Sequence, residues 1–155
     1  MGAFNFKSSG KTQEQSIVEA IAKSTIPIGI ATPLRLGEDG NIFAMHMALP
    51  DQVNDNFRNM LMTNWGERLG LYDFGANLRP LMSEFTTQEN FDAVAVQRIS
   101  QAVARWMPFI SLEEFLSEID NHENKNTAIV RLTITYTIPA LQTGKRTLLV
   151  TMYAM

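Results

Sequence analysis

The chain has 155 residues, a formal net charge of -3 and no cysteine, which excludes a thiolate metal site. Its 13 lysines and arginines are scattered, which argues against nucleic acid as a partner. No apolar run reaches the 18 or so residues of a membrane span, and the first residues lack the apolar core of a signal peptide. We expect a single domain over residues 1–155 that needs no cofactor and contacts no membrane.

The first third of the chain is predicted to contain an arm, a helix and a hairpin. Residues 1–11 have the composition of a flexible arm. Residues 12–24 place apolar side chains at helical spacing, and Pro27 ends that helix because the residue before a proline avoids helical backbone. The turn-forming residues 37–41 separate two β-like runs, so residues 28–47 are predicted to form a β-hairpin. Pro33 confines the first arm to an edge or a broken strand.

A second helix is predicted to begin at Pro50 and Asp51, with Asp51 as its N-cap. Its apolar face has four residues at helical spacing, namely Val53, Phe57, Met60 and Leu61. The periodicity stops after Asn64, where a loop rich in glycine, charge and aromatic residues begins. A short helical piece is predicted over residues 76–82.

This loop carries the most distinctive pattern in the sequence. Gly66, Glu67 and Arg68 place an acid and a base beside a glycine, and Phe74 with Gly75 makes a second turn. Two interpretations remain open. Either Glu67 and Arg68 tie the loop down while Phe74 anchors it to the core, or they bind a partner.

A long amphipathic helix is predicted over residues 87–106. Thr86 and Glu89 have the spacing of a capping box, and Pro108 ends the helix. Its apolar residues step by three and four: Phe91, Val94, Ala95, Ile99, Ala102, Val103 and Trp106.

The last third of the chain is predicted to form a sheet. Strict alternation predicts a long strand from Thr127 to Ile138, after a polar turn at residues 121–126. Thr147 to Tyr153 is predicted to return as an antiparallel strand. Residues 111–119 are ambiguous because Ser111 and Glu114 have a capping-box spacing that favours a helix. The predicted core consists of Phe57, Leu61, Phe74, Leu78, Val94, Ala102, Leu132, Ile134 and Leu148.

The run from Met62 to Arg68, MTNWGER, is followed by Phe74-Gly75 and Leu78. It resembles the T-x-x-G-E-R … F-G-x-x-L signature of the small wedge subunits of contractile-tail baseplates. That family includes the sheath initiators of contractile bacteriophages, type VI secretion systems and related injection or bacteriocin machines, and is also labelled lysozyme-like. The resemblance implies an α+β fold with a strand at residues 111–119, in which amphipathic helices pack on a mainly antiparallel sheet finished by two long C-terminal strands.

The resemblance also implies partners. In the family, the long helix closes with a Glu-Pro-Arg triplet that binds neighbouring wedge proteins. Here the matching place reads Trp106-Met107-Pro108-Phe109, so only Pro108 carries over. An apolar contact through Trp106, Met107 and Phe109 replaces the charged pair, or all three belong to the core.

The sheet of the resembling family is what the first ring of tail-sheath protein joins by strand addition. The residues expected to meet the sheath are Thr147, Leu149, Thr151 and Tyr153. The resemblance further implies six copies per baseplate, in a virion tail assembled in the host bacterial cytoplasm.

A glycan hydrolase, which the lysozyme-like label implies, needs a paired acid and nucleophile. Glu67, Asp73, Glu84 and Glu89 are available, but no motif specifies a pair. Arg68 beside Glu67 is expected to lower the pKa of that carboxyl and to spoil it as a general acid. We expect a structural protein that is not an enzyme; the alternatives are a glycan hydrolase and an unrelated cytosolic adaptor.

Overall fold

The structure of the protein, a computed structural model, describes residues 26–37, 42–84, 88–121 and 128–154. The chain divides into two compact units, Met1–Leu49 and Pro50–Met155. The predicted arm and the predicted helix at residues 12–24 lie outside the described residues. So do Thr86 and the side chain of Glu89, which form the predicted capping box. Of the polar turn predicted at residues 121–126, only Asn121 is described, and it ends the third strand of the chain.

The first unit contains two short strands within the stretch predicted as a hairpin. β1 (Gly29–Ile30) pairs antiparallel with β2 (Met45–His46), and Leu36 forms an isolated bridge with Phe43. β1 ends before Pro33, which has no backbone N–H to donate to a ladder.

The described part of the second unit contains three helices, α1 (Leu49–Met62), α2 (Arg79–Glu84) and α3 (Gln88–Trp106). The predicted apolar face of α1 is buried, as expected. Asp51 is not the N-cap, because the helix begins at Leu49 and Asp51 lies in its first turn. Its Oδ1 instead accepts a hydrogen bond from Arg146 Nη2 at 2.6 Å. None of the helices in the described residues is long and apolar enough to cross a bilayer.

The helical piece predicted over residues 76–82 begins three residues later than expected. Gly75 and Asn77 have positive φ values of 104° and 51°. Left-handed backbone cannot continue a right-handed helix, so α2 starts only at Arg79. This delay extends the loop that follows α1.

The sheet of the second unit has three antiparallel strands in the order β3 (Ser111–Asn121), β4 (Ala128–Thr137) and β5 (Arg146–Ala154). The strand implied at residues 111–119 is therefore confirmed, and so is the predicted pairing of the two C-terminal strands. A 3-10 turn, Pro139–Leu141, connects β4 to β5. One register shift interrupts the β3–β4 ladder, between Leu112 and Glu114. The β4–β5 ladder is regular from end to end.

The core lies between the helices and one face of this sheet. β4 contributes the buried row Val130, Leu132, Ile134 and Tyr136. The predicted core is buried except for Phe74 and Val94, which pack partly exposed at its margin. Together these elements confirm the predicted α+β class.

Tyr136 shows how the central strand is fixed to α1. Its ring meets that of Phe57 edge-to-face at 5.1 Å between centroids, and its hydroxyl donates to Asn54 Oδ1 at 2.9 Å. Burial raises the pKa of the Tyr136 phenol above its ordinary value. The ring therefore packs in the core while its polar tip is satisfied.

Candidate partner-binding surfaces

The predicted site residues fall on two surfaces of the second unit. One is formed by the loop of residues 63–78 and the end of α3; we call it the loop groove. The other is the side of β5 that faces away from β4, together with the β5 side chains that face away from the core; we call it the β5 edge.

Glycine lets the loop pack directly against the end of α1. At Gly75, which has a φ of 104°, an added Cβ would lie 2.1 Å from the carbonyl oxygen of Thr63. The same close approach lets the N–H of Ala76 donate to Met60 O at 3.2 Å. Gly66, with a φ of 87°, donates its N–H to Tyr72 O at 2.7 Å. The two predicted glycines therefore shape the loop rather than line the groove.

Glu67 ties the loop to itself. Its Oε1 accepts from Asn64 Nδ2 at 2.8 Å and its Oε2 from the Asn64 backbone N–H at 2.7 Å. These two bonds, with a smaller contribution from the charge of Arg79, hold the pKa of the Glu67 carboxyl below its ordinary value. Arg68, which the sequence suggested as the cause, is not among the causes. Stability from this group is present above its unfolded pKa and is lost as the pH falls through the lowered folded pKa.

Arg98 and Trp65, neither of which was predicted as a site residue, hold the loop on α3. Arg98 Nη1 donates to Asn77 O at 2.6 Å, and its guanidinium lies 5.7 Å from the ring centroid of Trp65. Trp65 Nε1 in turn donates to Gly75 O at 3.2 Å. Trp65 lies in the signature run MTNWGER, whereas the sequence signal for Arg98 was an arginine among the polar residues of α3.

Aromatic rings join the loop to the end of α3. Phe74 and Trp106 pack edge-to-face with centroids 5.3 Å apart. The guanidinium carbon of Arg68 lies 4.3 Å from the centroid of Phe74, within cation–π range. Arg105 lies 4.8 Å from the centroid of Trp106 and forms an ion pair with Asp73.

These contacts border an open groove of about 700 Å³, which brings the predicted Glu67, Arg68, Phe74, Trp106 and Met107 together. Pro108 is exposed but does not line it. The other lining residues are Asn56, Asn59, Thr63 and Phe109.

Three of those lining residues were not predicted as part of a site. Asn56, Asn59 and Thr63 are spaced by three and four along the polar side of α1 and just beyond its end. That spacing beside the glycine-rich loop was the available signal. The groove therefore has one polar wall and one aromatic wall.

The β5 edge is built differently. β5 pairs with β4 on one side, and no strand in the described part of the chain pairs with its other side. The predicted residues Thr147, Leu149, Thr151 and Tyr153 share the face opposite the core, with Leu149 56% and Tyr153 61% exposed. Arg146 at the start of the strand is ion-paired with Asp51 of α1.

The described residues contain no group of three or more His, Asp or Glu side chains placed to hold a metal ion. Of the predicted catalytic candidates, Glu67 has a hydrogen bond from Asn64 to each of its two carboxylate oxygens, Asp73 is ion-paired with Arg105, and Glu84 is exposed. The side chain of Glu89 lies outside the described residues. What the described geometry offers is two surfaces for contact with other chains.

The family model of the baseplate wedge protein gp25 matches residues 47–142. The chain belongs to this family. The match covers the helices, the loop groove, β3 and β4, and ends before β5. The suspected wedge family is thereby confirmed, and this wedge protein is a component of the baseplate of a phage-like tail particle.

Solved structures share the fold of this wedge protein. A chain in the cryo-EM structure of the anti-feeding prophage baseplate is 22% identical with a TM-score of 0.56, and the match covers 70% of this chain and 82% of that one. A candidate tail lysozyme from Geobacter sulfurreducens is 17% identical with a TM-score of 0.53, covering 70% and 93%. No curated protein matches the chain.

Proposed function

We propose that this wedge protein initiates the tail sheath of a contractile particle by adding a strand of the first sheath ring to the β5 edge. The observation that carries the proposal is the contrast between the two outer strands of the sheet. A free edge is a ready template for another strand, and sheets that must not be joined protect it with charge or bulges.

β3 carries both kinds of protection. A register shift interrupts its ladder near its start, and its eleven residues include four carboxylates, on Glu113, Glu114, Glu118 and Asp120. Glu113 pairs with Lys145 and Asp120 with Arg131, so an incoming strand on that side would meet irregular backbone and the exposed carboxylates of Glu114 and Glu118. β3 is therefore a poor docking edge.

β5 carries neither. Its nine residues contain no acid, its one cation is Arg146 in the ion pair with Asp51, and its ladder with β4 has no shift. Backbone hydrogen bonds to an added strand would supply affinity, and the alternating side chains Thr147, Leu149, Thr151 and Tyr153 would supply selectivity.

The rest of the proposal concerns the other partners. The loop groove contacts other wedge proteins, and six copies surround the tail axis in particles assembled in the host cytoplasm. In this proposal the protein acts by assembly and not by catalysis. Glu67 is a poor general acid, because a general acid needs a raised pKa and the pKa of Glu67 is lowered. Likeness to a candidate tail lysozyme at 17% identity concerns the fold alone.

Two leucines on the outer face of the sheet make a matched test. Leu116 of β3 and Leu149 of β5 lie in one cross-strand row on either side of Thr133, and they are 62% and 56% exposed. Leu149→Lys places a charge beside the proposed docking strand, whereas Leu116→Lys places it at the protected edge. Each change should alter the free energy of unfolding by no more than about 0.5 kcal/mol.

The readout is sheath length by electron microscopy in particles produced with each variant. We expect Leu149→Lys to give baseplates without sheath and Leu116→Lys to give full-length sheath. Full-length sheath on Leu149→Lys baseplates would reject the β5 edge as the docking site, and loss of sheath with Leu116→Lys alone would move it to β3.

A further inference from the structure

We infer that the loop groove receives a single carboxylate side chain, flanked by an apolar one, from a neighbouring baseplate protein, and that Arg68 is the residue that binds the carboxylate. This inference rests on the proposed function only in placing the partner within the baseplate. It follows from the different roles that the structure gives to two adjacent charges.

Glu67 and Arg68 do not pair with each other. Both oxygens of Glu67 accept hydrogen bonds from Asn64, so this carboxylate holds the loop together. Within the described part of the chain, the guanidinium of Arg68 has the ring of Phe74 as its contact and no carboxylate or other acceptor. Its fork of N–H donors is left for a group from outside.

The aromatic platform prepares Arg68 for that group. Stacking on Phe74 at 4.3 Å restricts a long side chain that otherwise loses entropy on binding. Phe74 is itself held by Trp106. A guanidinium fixed in this way presents parallel donors that match the two oxygens of a carboxylate.

The rest of the groove specifies what stands beside the carboxylate. Trp106 and Phe109 form an aromatic wall with Met107 buried beside them, and Phe109 is 44% exposed. An apolar side chain that covers this wall would remove it from water. The ionised Glu67 nearby disfavours a segment with several acids, so one carboxylate fits better than a run of them.

Three short peptides test the chemistry on the purified, full-length protein: acetyl-Phe-Glu-Leu-amide and its Gln and Lys counterparts. Binding is followed by NMR titration, using the indole N–H of Trp106 and the backbone amides of Arg68 and Phe74. We expect the Glu peptide to shift these signals with a Kd at least about 10-fold lower than that of the Gln peptide, because a charge-assisted bond replaces a neutral one. The Lys peptide should bind more weakly still.

Variants assign the effect to Arg68. Arg68→Gln should bring the Glu peptide down to the affinity of the Gln peptide, and Arg68→Lys, which keeps the charge but loses the planar stack, should lie between. The control is Lys145→Gln in the β4–β5 turn, whose ammonium pairs with Glu113; it should leave binding unchanged. Unchanged amide signals outside the loop would show that each variant is folded.

Equal affinity for the Glu and Gln peptides, or undiminished binding of the Glu peptide by Arg68→Gln, would overturn the inference. So would a titration in which none of the peptides shifts the groove signals. These outcomes are separate from the sheath assay, since the peptides report on the isolated groove and the Leu149→Lys particles report on the β5 edge.

Discussion

The two outer strands of the sheet flank the same central strand but have opposite edge features. β3 has a register shift and four carboxylates, whereas β5 has a regular ladder and no acid. Protection of one edge and not the other is expected when only one is used for assembly. Under the proposed strand addition, backbone regularity and charge together distinguish the edge that is joined from the edge that is protected.

Apolar exposure alone does not separate the two edges. Leu116 and Leu149 stand in one row and are exposed to similar extents. A search for exposed apolar side chains would therefore select both strands equally. The difference lies in their neighbours, because Leu116 is followed two residues later by Glu118, and Leu149 by Thr151.

The largest effect should come from the strand that both edges share. Leu132 lies fully buried on β4, and Leu132→Ala should lower the free energy of unfolding by roughly 2–5 kcal/mol because it leaves a cavity. Urea denaturation followed by circular dichroism measures this change. Thr133→Ala, on the opposite face of the same strand, should change it by less than about 0.5 kcal/mol. Equal costs at the two positions would contradict the assigned faces of β4.

A second prediction removes the protection of β3. Glu114 and Glu118 are exposed on its outer face, and the double change Glu114→Thr with Glu118→Val makes that row resemble β5. The variant should self-associate at protein concentrations several-fold lower than the parent, because uncharged edges pair readily. Light scattering measured against protein concentration gives the concentration at which self-association begins. In the control, both residues are changed to the isosteric Gln, which removes the charge alone. If both variants begin to scatter light at the same protein concentration as the parent, charge does not protect this edge.

Most of the fold was predictable because its strongest signals are local. The apolar period of α3 and the alternation of β4 need no tertiary information. At residues 111–119 the local sequence favours a helix, because Ser111 and Glu114 have a capping-box spacing, and the family resemblance was needed to choose a strand. The start of α2 could not be predicted, because it depends on the left-handed backbone of Asn77, which is not a glycine.

The sequence named several residues of the candidate site but did not predict which partner each side chain contacts. Arg68 and Phe74 were predicted from the signature loop and Trp106 separately from the end of the long helix; the structure places Phe74 in contact with both of the others. Adjacent charges suggested an interaction between Glu67 and Arg68, but the two side chains take separate partners, Asn64 and Phe74. Contacts that span many residues, such as that of Arg98 with Asn77, have no local signal.

A third prediction concerns the free protein and sharpens the contrast at β5. An uncharged edge such as that of β5, which no strand of the described residues pairs with, favours association of monomers before a partner arrives. Leu149→Lys should therefore raise the concentration at which the purified protein begins to scatter light by several-fold. Leu116→Lys should raise that concentration less, because carboxylates already protect the edge of β3. Equal increases for the two variants would indicate that the leucines associate through the sheet face and that neither edge is involved.

The smallest predicted effect distinguishes how the ends of the two strands are held. Arg146 at the start of β5 pairs with Asp51 of α1 at 2.6 Å, with side chains 31% and 48% exposed. Lys145 pairs with Glu113 of β3 at 3.3 Å, with side chains 69% and 35% exposed. Exposed ion pairs contribute little because water screens them and long side chains lose entropy.

Double-mutant cycles separate these pairs from the effects of each single change. The cycle of Asp51→Asn with Arg146→Gln should give a coupling of about 0.5–1 kcal/mol, since this pair is shorter, less exposed and hydrogen-bonded. The cycle of Glu113→Gln with Lys145→Gln should give about 0–0.5 kcal/mol. The couplings are measured by urea denaturation at low and high salt, and only the first should remain measurable at high salt.

A larger coupling for Glu113 and Lys145 would mean that the start of β3 is held more firmly by charge than the start of β5. The charge at Glu113 would then be explained by local stability, and the case for β3 as a guarded edge would rest on Glu114, Glu118 and Asp120 alone.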